Sequence, residues 1–282
     1  MIKRVLIRYN TSKRTALVLR GEVKDFLRGQ GVTIVDRQDL LLSKWGESKI
    51  PHVTYYSRSA GSEFEIGDDA KYLVQYKDIA RKEKADLLIT IGGDGTLLFY
   101  KGFYDMPIFA IGSKTSFLCH ATGKDWKSKL LKVIKNPKSE EHPMLVARIG
   151  RYKTEAAMNE ICVKNPRHRM LRFELSIGKK KYLFGADGVI FSTSIGSSAY
   201  AYSAGGKQFS EKDFYEIVPV APHRRSFKPM FIKDDIQTVL RIHSRYQHDV
   251  VDIVVDGQII YEMGLNASLR ICKSKRSVLM VI

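Results

Sequence analysis

Apolar positions in the first 35 residues fall into a compact block, then a spaced series, then a compact block again. Residues 3–9, KRVLIRY, form a short apolar run and predict a strand. The polar NTSKR follows, with Thr11 or Ser12 placed to cap a helix running through Arg28. Within that helix Ala16, Leu17, Leu19, Val23, Phe26 and Leu27 recur at about helical period and predict its buried face. GVTIVD then reads as a second strand. Strand, helix, strand predicts a parallel sheet with right-handed crossovers.

From Leu41 to about Asp69 the pattern dissolves into a polar stretch with Ser, Gly and aromatics, expected to be a long mobile excursion. A helix is expected over about 70–84. The strand ADLLITI follows, then a short helix beginning near Thr96 and the strand MPIFAIG. After about residue 143 the character changes. MLVARIG, AAMNEICV, RFELSIG, YLFGADGVIFSTS and DVVDIVVDGQII are short runs split by Gly and polar turns, the spacing of an antiparallel all-β domain. The expected fold is therefore an α/β N-terminal domain with a parallel sheet, over 1–118, and a β-rich domain over 119–270. Residues 271–282, ending in SVLMVI, form a last strand able to return to the first domain.

Composition narrows the class. Of 282 residues 44% are hydrophobic, enough for a folded core. No apolar run approaches the roughly 20 residues that span a bilayer, and MIKRVLIRYN is too short an apolar block for a signal peptide. Cys119, Cys162 and Cys272 are odd in number and far apart, which fits a reducing, cytoplasmic compartment. Cys119 and Cys162 read as small buried apolar residues rather than nucleophiles. His120, His142, His168 and His223 are not at ligand spacing, and no metal-binding cluster is expected. The net charge of +17 points to an anionic partner or a solubilising surface. The bases are scattered, and no helix-turn-helix, zinc-finger or RNA-binding signature accompanies them, so neither nucleic acid nor membrane is expected as partner.

The chemistry is concentrated at LLITIGGDGTLL, from Leu87 to Leu98. A buried strand runs into Gly92, Gly93, Asp94, Gly95 and Thr96. Glycines allow close backbone approach to an anion, and the following helix start presents free N–H groups. The aspartate is the odd member, since a carboxylate repels phosphate. It fits as a water-mediated metal ligand or as a base for an attacking hydroxyl. A purely structural turn is the plainer alternative.

The remaining chain changes the balance. Asn159-Glu160 lies in AAMNEICV; residues 187–206 read DGVIFSTSIGSSAYAYSAGG; 219–229 read PVAPHRRSFKP; and 254–258 read VVDGQ. With GGDGT, which diacylglycerol and sphingosine lipid kinases share, these ordered motifs resemble the NAD kinase family, as a divergent member. The resemblance implies an active site between the two domains and transfer of a phosphoryl group from ATP, or from polyphosphate in some members, to the adenosine 2′-hydroxyl of NAD. It also implies Mg²⁺ or another divalent cation, and a homo-oligomer, dimer or tetramer. Asp94 is then the base or hydroxyl orienter, and Gly92, Gly93, Gly95 and Thr96 hold the donor phosphates. Phe117, Asn159, Glu160, Asp187, Ser198, Ala199, Tyr200 and Ser203 line the NAD site, with Asp256 near the acceptor or metal. Lys114, Arg224 and Lys228 are bases able to neutralise phosphate. Asp252 and Asp256, four apart, are expected on one strand face, with Asp252 at the surface. One of Tyr200 and Tyr202 is expected in the core.

The block departs from the family's TPTGSTAY. Ser194 replaces Pro, Ile195 replaces Thr and Ser198 replaces the later Thr; the GxLGF loop reads IGSKTSFLCH, of which only Phe117 aligns. A lipid-alcohol kinase and a non-catalytic dinucleotide binder are the alternatives. The retained Asp94 argues against the binder.

Overall fold

A computed structural model describes residues 1–35, 53–57, 65–66, 80, 83–167, 169–243, 250–264 and 268–282. The chain divides into two compact units. Met1–Pro51, Lys71–Glu141 and Val278–Ile282 make the first; His52–Ala70 and His142–Ser277 make the second.

In the first unit, strand Arg4–Tyr9 pairs in parallel with Thr33–Ile34 on one side and Leu87–Ile91 on the other. Leu87–Ile91 pairs in turn with Ile108–Gly112, whose Ile108 meets Met280 of the last strand, also in parallel. All five residues of Leu87–Ile91 are buried, as a continuous apolar run in a sheet covered on both faces requires. One face packs Val5, Ile7, Ile89 and Phe109 against Val23 and Leu27 of helix Arg14–Gly29 and Trp126 and Leu130 of helix Trp126–Lys135. Phe26 and Trp126 meet edge to face at 5.3 Å between those helices. Buried Arg8 gives its guanidinium to the Glu83 carboxylate at 2.6 Å and to the Tyr104 hydroxyl at 2.8 Å.

Two expectations are corrected here. The first helix begins at Arg14 and carries no side-chain cap. The Asn10 carboxamide oxygen accepts from both the backbone N–H and the hydroxyl of Ser12, so these polar residues close a turn before the helix starts. Leu17 is exposed, because the buried stripe runs through Ala16, Val23 and Leu27 and leaves it to one side.

The second unit is built mainly from antiparallel strands. Lys180–Ala186, Leu171–Ile177 and Thr238–His243 lie side by side, the last pairing with the start of Ser268–Val281. A second sheet runs Met230–Lys233, Phe214–Val220, Gly188–Thr193, Glu160–Lys164, Val250–Val255, Ile259–Gly264, Val53–Ser57, Glu65–Ile66. The expected excursion over 41–69 thus contains two short strands, and Val53–Ser57 pairs in parallel with Ile259–Met263. The rest of that segment lies outside the described residues. So does the helix expected over about 70–84, apart from Ala80, Glu83 and Lys84.

Candidate functional site

In the first unit the glycine loop follows the end of strand Leu87–Ile91, and helix Asp94–Tyr100 opens directly from it. Gly92 (φ 154°) and Gly93 (φ 122°) adopt backbone conformations that side chains disfavour. A Cβ on Gly92 would lie 2.4 Å from Thr96 Oγ1 and 2.7 Å from Asn10 Cβ, so only glycine fits there. Thr96 is buried, its hydroxyl packed against the loop from inside. The Asp94 carboxylate accepts the backbone N–H of Phe117 at 2.8 Å and of Leu118 at 3.0 Å, with the Cys119 thiol at 3.4 Å. Burial, then the Asp94 charge, pushes that thiol up to about 12, so Cys119 stays protonated. The backbone of the altered loop therefore orients the acid of the glycine loop. The Phe117 ring itself is 82% exposed.

In the second unit the polar centre is the turn into strand Glu160–Lys164. The Asp256 carboxylate accepts three consecutive backbone N–H groups, from Met158 (2.9 Å), Asn159 (2.7 Å) and Glu160 (3.1 Å). Its own N–H donates to Glu160 O at 3.0 Å. Asp256 follows strand Val250–Val255 and has φ 51°, so it has left the strand's alternation. The expected shared face with Asp252 is lost for that reason, and Asp252, opposite Lys164, is half-buried rather than at the surface.

Thr193, which the sequence did not single out, ties this turn to the SIGSSAY block. Its hydroxyl donates to Met158 O and accepts the N–H of Gly196 at 3.1 Å. A Cβ on Gly196 would fall 2.2 Å from Asn159 O, which makes this glycine a packing requirement. The only sequence signal for Thr193 was its place inside the family-like block.

Asn159 and Glu160 are 7% and 8% exposed, yet among the described residues Asn159 Oδ1 and Glu160 Oε2 have no hydrogen-bond partner. Buried polar atoms are rarely left so, and each costs about 1–3 kcal/mol unless something else satisfies it. Tyr200 and Tyr202 are 44% and 56% exposed, so neither is in the core. Their four-residue helix buries Ala201 between them, against Cys162, Ile190 and Val218. Burial, then the charges of Cys162, Glu160 and Asp187, push the Tyr200 hydroxyl up. Ser198 and Ala199 are partly exposed and Ser203 exposed, its hydroxyl on Ala199 O. Among the described residues no cluster of three or more His, Cys, Asp or Glu is arranged to hold a metal.

Burial, and next the Asp256 charge, push Glu160 up to about 8 from an ordinary 4.5. A carboxyl raised by folding stabilises the fold fully below its unfolded value, and that contribution is lost as pH rises through the folded one. Glu160→Gln, which never ionises, will gain roughly 3 kcal/mol over the natural chain between pH 5 and pH 8. Urea midpoints across that range measure it; parallel curves for the two proteins would remove the shift.

The chain is thus a two-unit protein, an α/β unit with an acid-bearing glycine loop followed by a β-rich unit whose buried Asn159 and Glu160 have atoms unsatisfied among the described residues. Residues 158–282 match the ATP-NAD kinase C-terminal domain. An NAD kinase of Clostridium perfringens is 33% identical over 218 residues, covering 73% of this chain and 77% of that one. One from Fusobacterium nucleatum is 32% identical over 232 residues, covering 78% and 81%. The fold is that of an NAD kinase from Archaeoglobus fulgidus solved with ATP, at TM-score 0.73 and 20% identity over 99% of this chain and 94% of that one. Yeast NADH kinase with NADH also gives 0.73 and 20%, over 99% and 83%. The chain belongs to the NAD kinase family.

Proposed function

We propose that this protein transfers the γ-phosphoryl group of ATP to the adenosine 2′-hydroxyl of NAD, giving NADP. The observation that carries the reading is the pair of orphaned atoms, Asn159 Oδ1 and Glu160 Oε2, buried beside the block that marks the family. A dinucleotide supplies the ribose hydroxyls and base edge they lack. With its carboxyl pushed up to about 8, Glu160 is protonated at neutral pH and can donate a hydrogen bond as well as accept one. Tyr200 is exposed enough to cover a ring, and Asp187, Ser198, Ala199 and Ser203, all at least partly exposed, edge the site.

In the first unit, the bare backbone of Gly92, Gly93 and Gly95 receives donor phosphate. Thr96, buried with its hydroxyl against Gly92, supports that loop from within. Asp94 orients the acceptor hydroxyl and takes its proton as the oxygen attacks, its carboxylate aimed by the Phe117 and Leu118 N–H groups. In this reading Asp256 takes a positioning role, supported by the hold its carboxylate has on the backbone of Met158, Asn159 and Glu160.

Mg²⁺ fits this arrangement as a companion of the donor. It needs only one or two carboxylates besides phosphate oxygens and water, and Asp94 is the acid at the loop. Bound there it would neutralise charge on the donor oxygens. A cytoplasmic dimer or tetramer completes the reading; no described helix is long and apolar enough to cross a membrane.

The test is NADP formation from NAD⁺, Mg²⁺ and ATP, with Asn159→Ala alongside. Donor-dependent product is expected, and the variant should raise KM for NAD about tenfold, the value of one hydrogen bond to a buried group. NAD bound but never phosphorylated would leave only the binder.

A further inference from the structure

Bases that lie scattered along the sequence are gathered in the second unit by strand pairing. Lys180–Ala186, Leu171–Ile177, Thr238–His243 and the start of Ser268–Val281 lie side by side and antiparallel. Successive side chains of a strand point to opposite faces. Phe184, Phe173, Leu175, Leu240, Ile242 and Leu269 are buried on one of them. The other face is open. Register sets Leu183 beside Glu174 and Glu174 beside Arg241. In the next row Lys181 lies beside Ser176, Ser176 beside Val239 and Val239 beside Arg270. In the row on the opposite side Arg172 meets His243.

Lys181, Arg172, Arg241 and Arg270 are all exposed on this face, spread over roughly 14 Å across the four strands. Among the described residues of these strands the only acid is Glu174. Its carboxylate is already shared by Lys181 at 3.4 Å, Arg241 at 3.2 Å and His243 at 3.6 Å. Cations therefore remain in excess. Apolar surface lies among them. Leu183 is 75% exposed, and Met170, 47% exposed, covers Gly185 on the same side. A Cβ built outward on Gly185 would fall 2.8 Å from Met170 Sδ.

We propose that this face docks the protein peripherally on an anionic lipid surface. Lipid headgroups supply the phosphates that the excess cations lack, and Leu183 and Met170 reach toward the acyl boundary beneath them. Nucleic acid fits the same lining less well. No Phe, Tyr or Trp points outward from these strands among the described residues, so a base finds no ring to stack on. A phosphate backbone also offers nothing to Leu183 and Met170. The contact is with the headgroup layer, as no described helix is long and apolar enough to cross a membrane. The proposal stands apart from the phosphoryl-transfer reading.

The experiment sediments the full chain with vesicles of phosphatidylcholine alone and of an equal mixture with phosphatidylglycerol, at physiological salt. The natural chain should bind the mixed vesicles about 100-fold more tightly, each excess cation near such a surface being worth about fivefold. The double variant Arg172→Glu/Arg270→Glu should lose at least about tenfold of that binding. Lys124→Glu/Lys138→Glu, at exposed positions of the first unit, reaches the same net charge and should stay within about twofold. Leu183→Ser should weaken binding about fivefold through lost apolar contact. Each variant is checked for an unchanged melting curve. No preference for the mixed vesicles, or equal losses in the two double variants, would overturn the proposal, because charge would then act through the whole chain. Binding to double-stranded RNA that Arg172→Glu/Arg270→Glu abolishes, with no binding to vesicles, would overturn it too and give the face to nucleic acid.

Discussion

Asp94→Asn will keep NAD binding and lose about 10²–10⁴-fold in kcat, the usual worth of a positioned acid–base group. The carboxylate faces two backbone N–H donors, from Phe117 and Leu118, that fix its plane. An asparagine keeps the shape but turns one oxygen into an NH₂ group, which meets one of those N–H groups donor to donor. The variant therefore loses both the base and its aim. Kinetics at saturating NAD and ATP, with NAD affinity measured separately by calorimetry, distinguish the two losses. A kcat within a few-fold of the natural enzyme would take Asp94 out of the mechanism. Asp94→Glu adds a check on placement, since the acid survives but sits one methylene further out.

The second large effect is expected at Asp256. Asp256→Ala strands three buried N–H groups at about 1–3 kcal/mol each, so a loss of about 3–9 kcal/mol is expected. That is a large share of the roughly 5–15 kcal/mol by which a domain is stable. NAD affinity should fall with it, because Asn159 and Glu160 are presented by the backbone that Asp256 holds. Asp256→Asn is the informative companion. Asparagine tolerates the φ of 51° and keeps one acceptor oxygen, so it should fold with an intermediate loss. Urea denaturation and NAD titration of both variants test this; an Asp256→Asn protein of natural stability that bound no NAD would return Asp256 to direct ligand contact.

Some of this was legible before any geometry. The strand–helix–strand opening and the buried run Leu87–Ile91 followed from periodicity alone, since a strand covered on both faces has no polar side to show. Val53–Ser57 was missed because its flanks are polar and its pairing partner, Ile259–Met263, lies some 200 residues away. Leu17 was misplaced because a spacing near 3.6 is shared by several adjacent stripes of one helix, and the sheet selects which is buried. Tyr200 and Tyr202 look like core residues by type, yet the small Ala201 between them takes the buried position.

The sequence by itself determined the family and the order of its motifs, because Gly, Asp, Asn and Ser at fixed spacings are chosen by local backbone and chemical needs that need no distant partner. Only the tertiary structure decided what those residues do to one another. It turned the Thr96 hydroxyl inward, set Asp94 against the Phe117 loop and joined Asp256 to a turn about a hundred residues earlier in the chain. It also left Asn159 and Glu160 buried, with atoms unsatisfied among the described residues. Those contacts are long-range and directional, and hydrogen bonds between groups far apart in the chain leave no periodic trace in the order of residues.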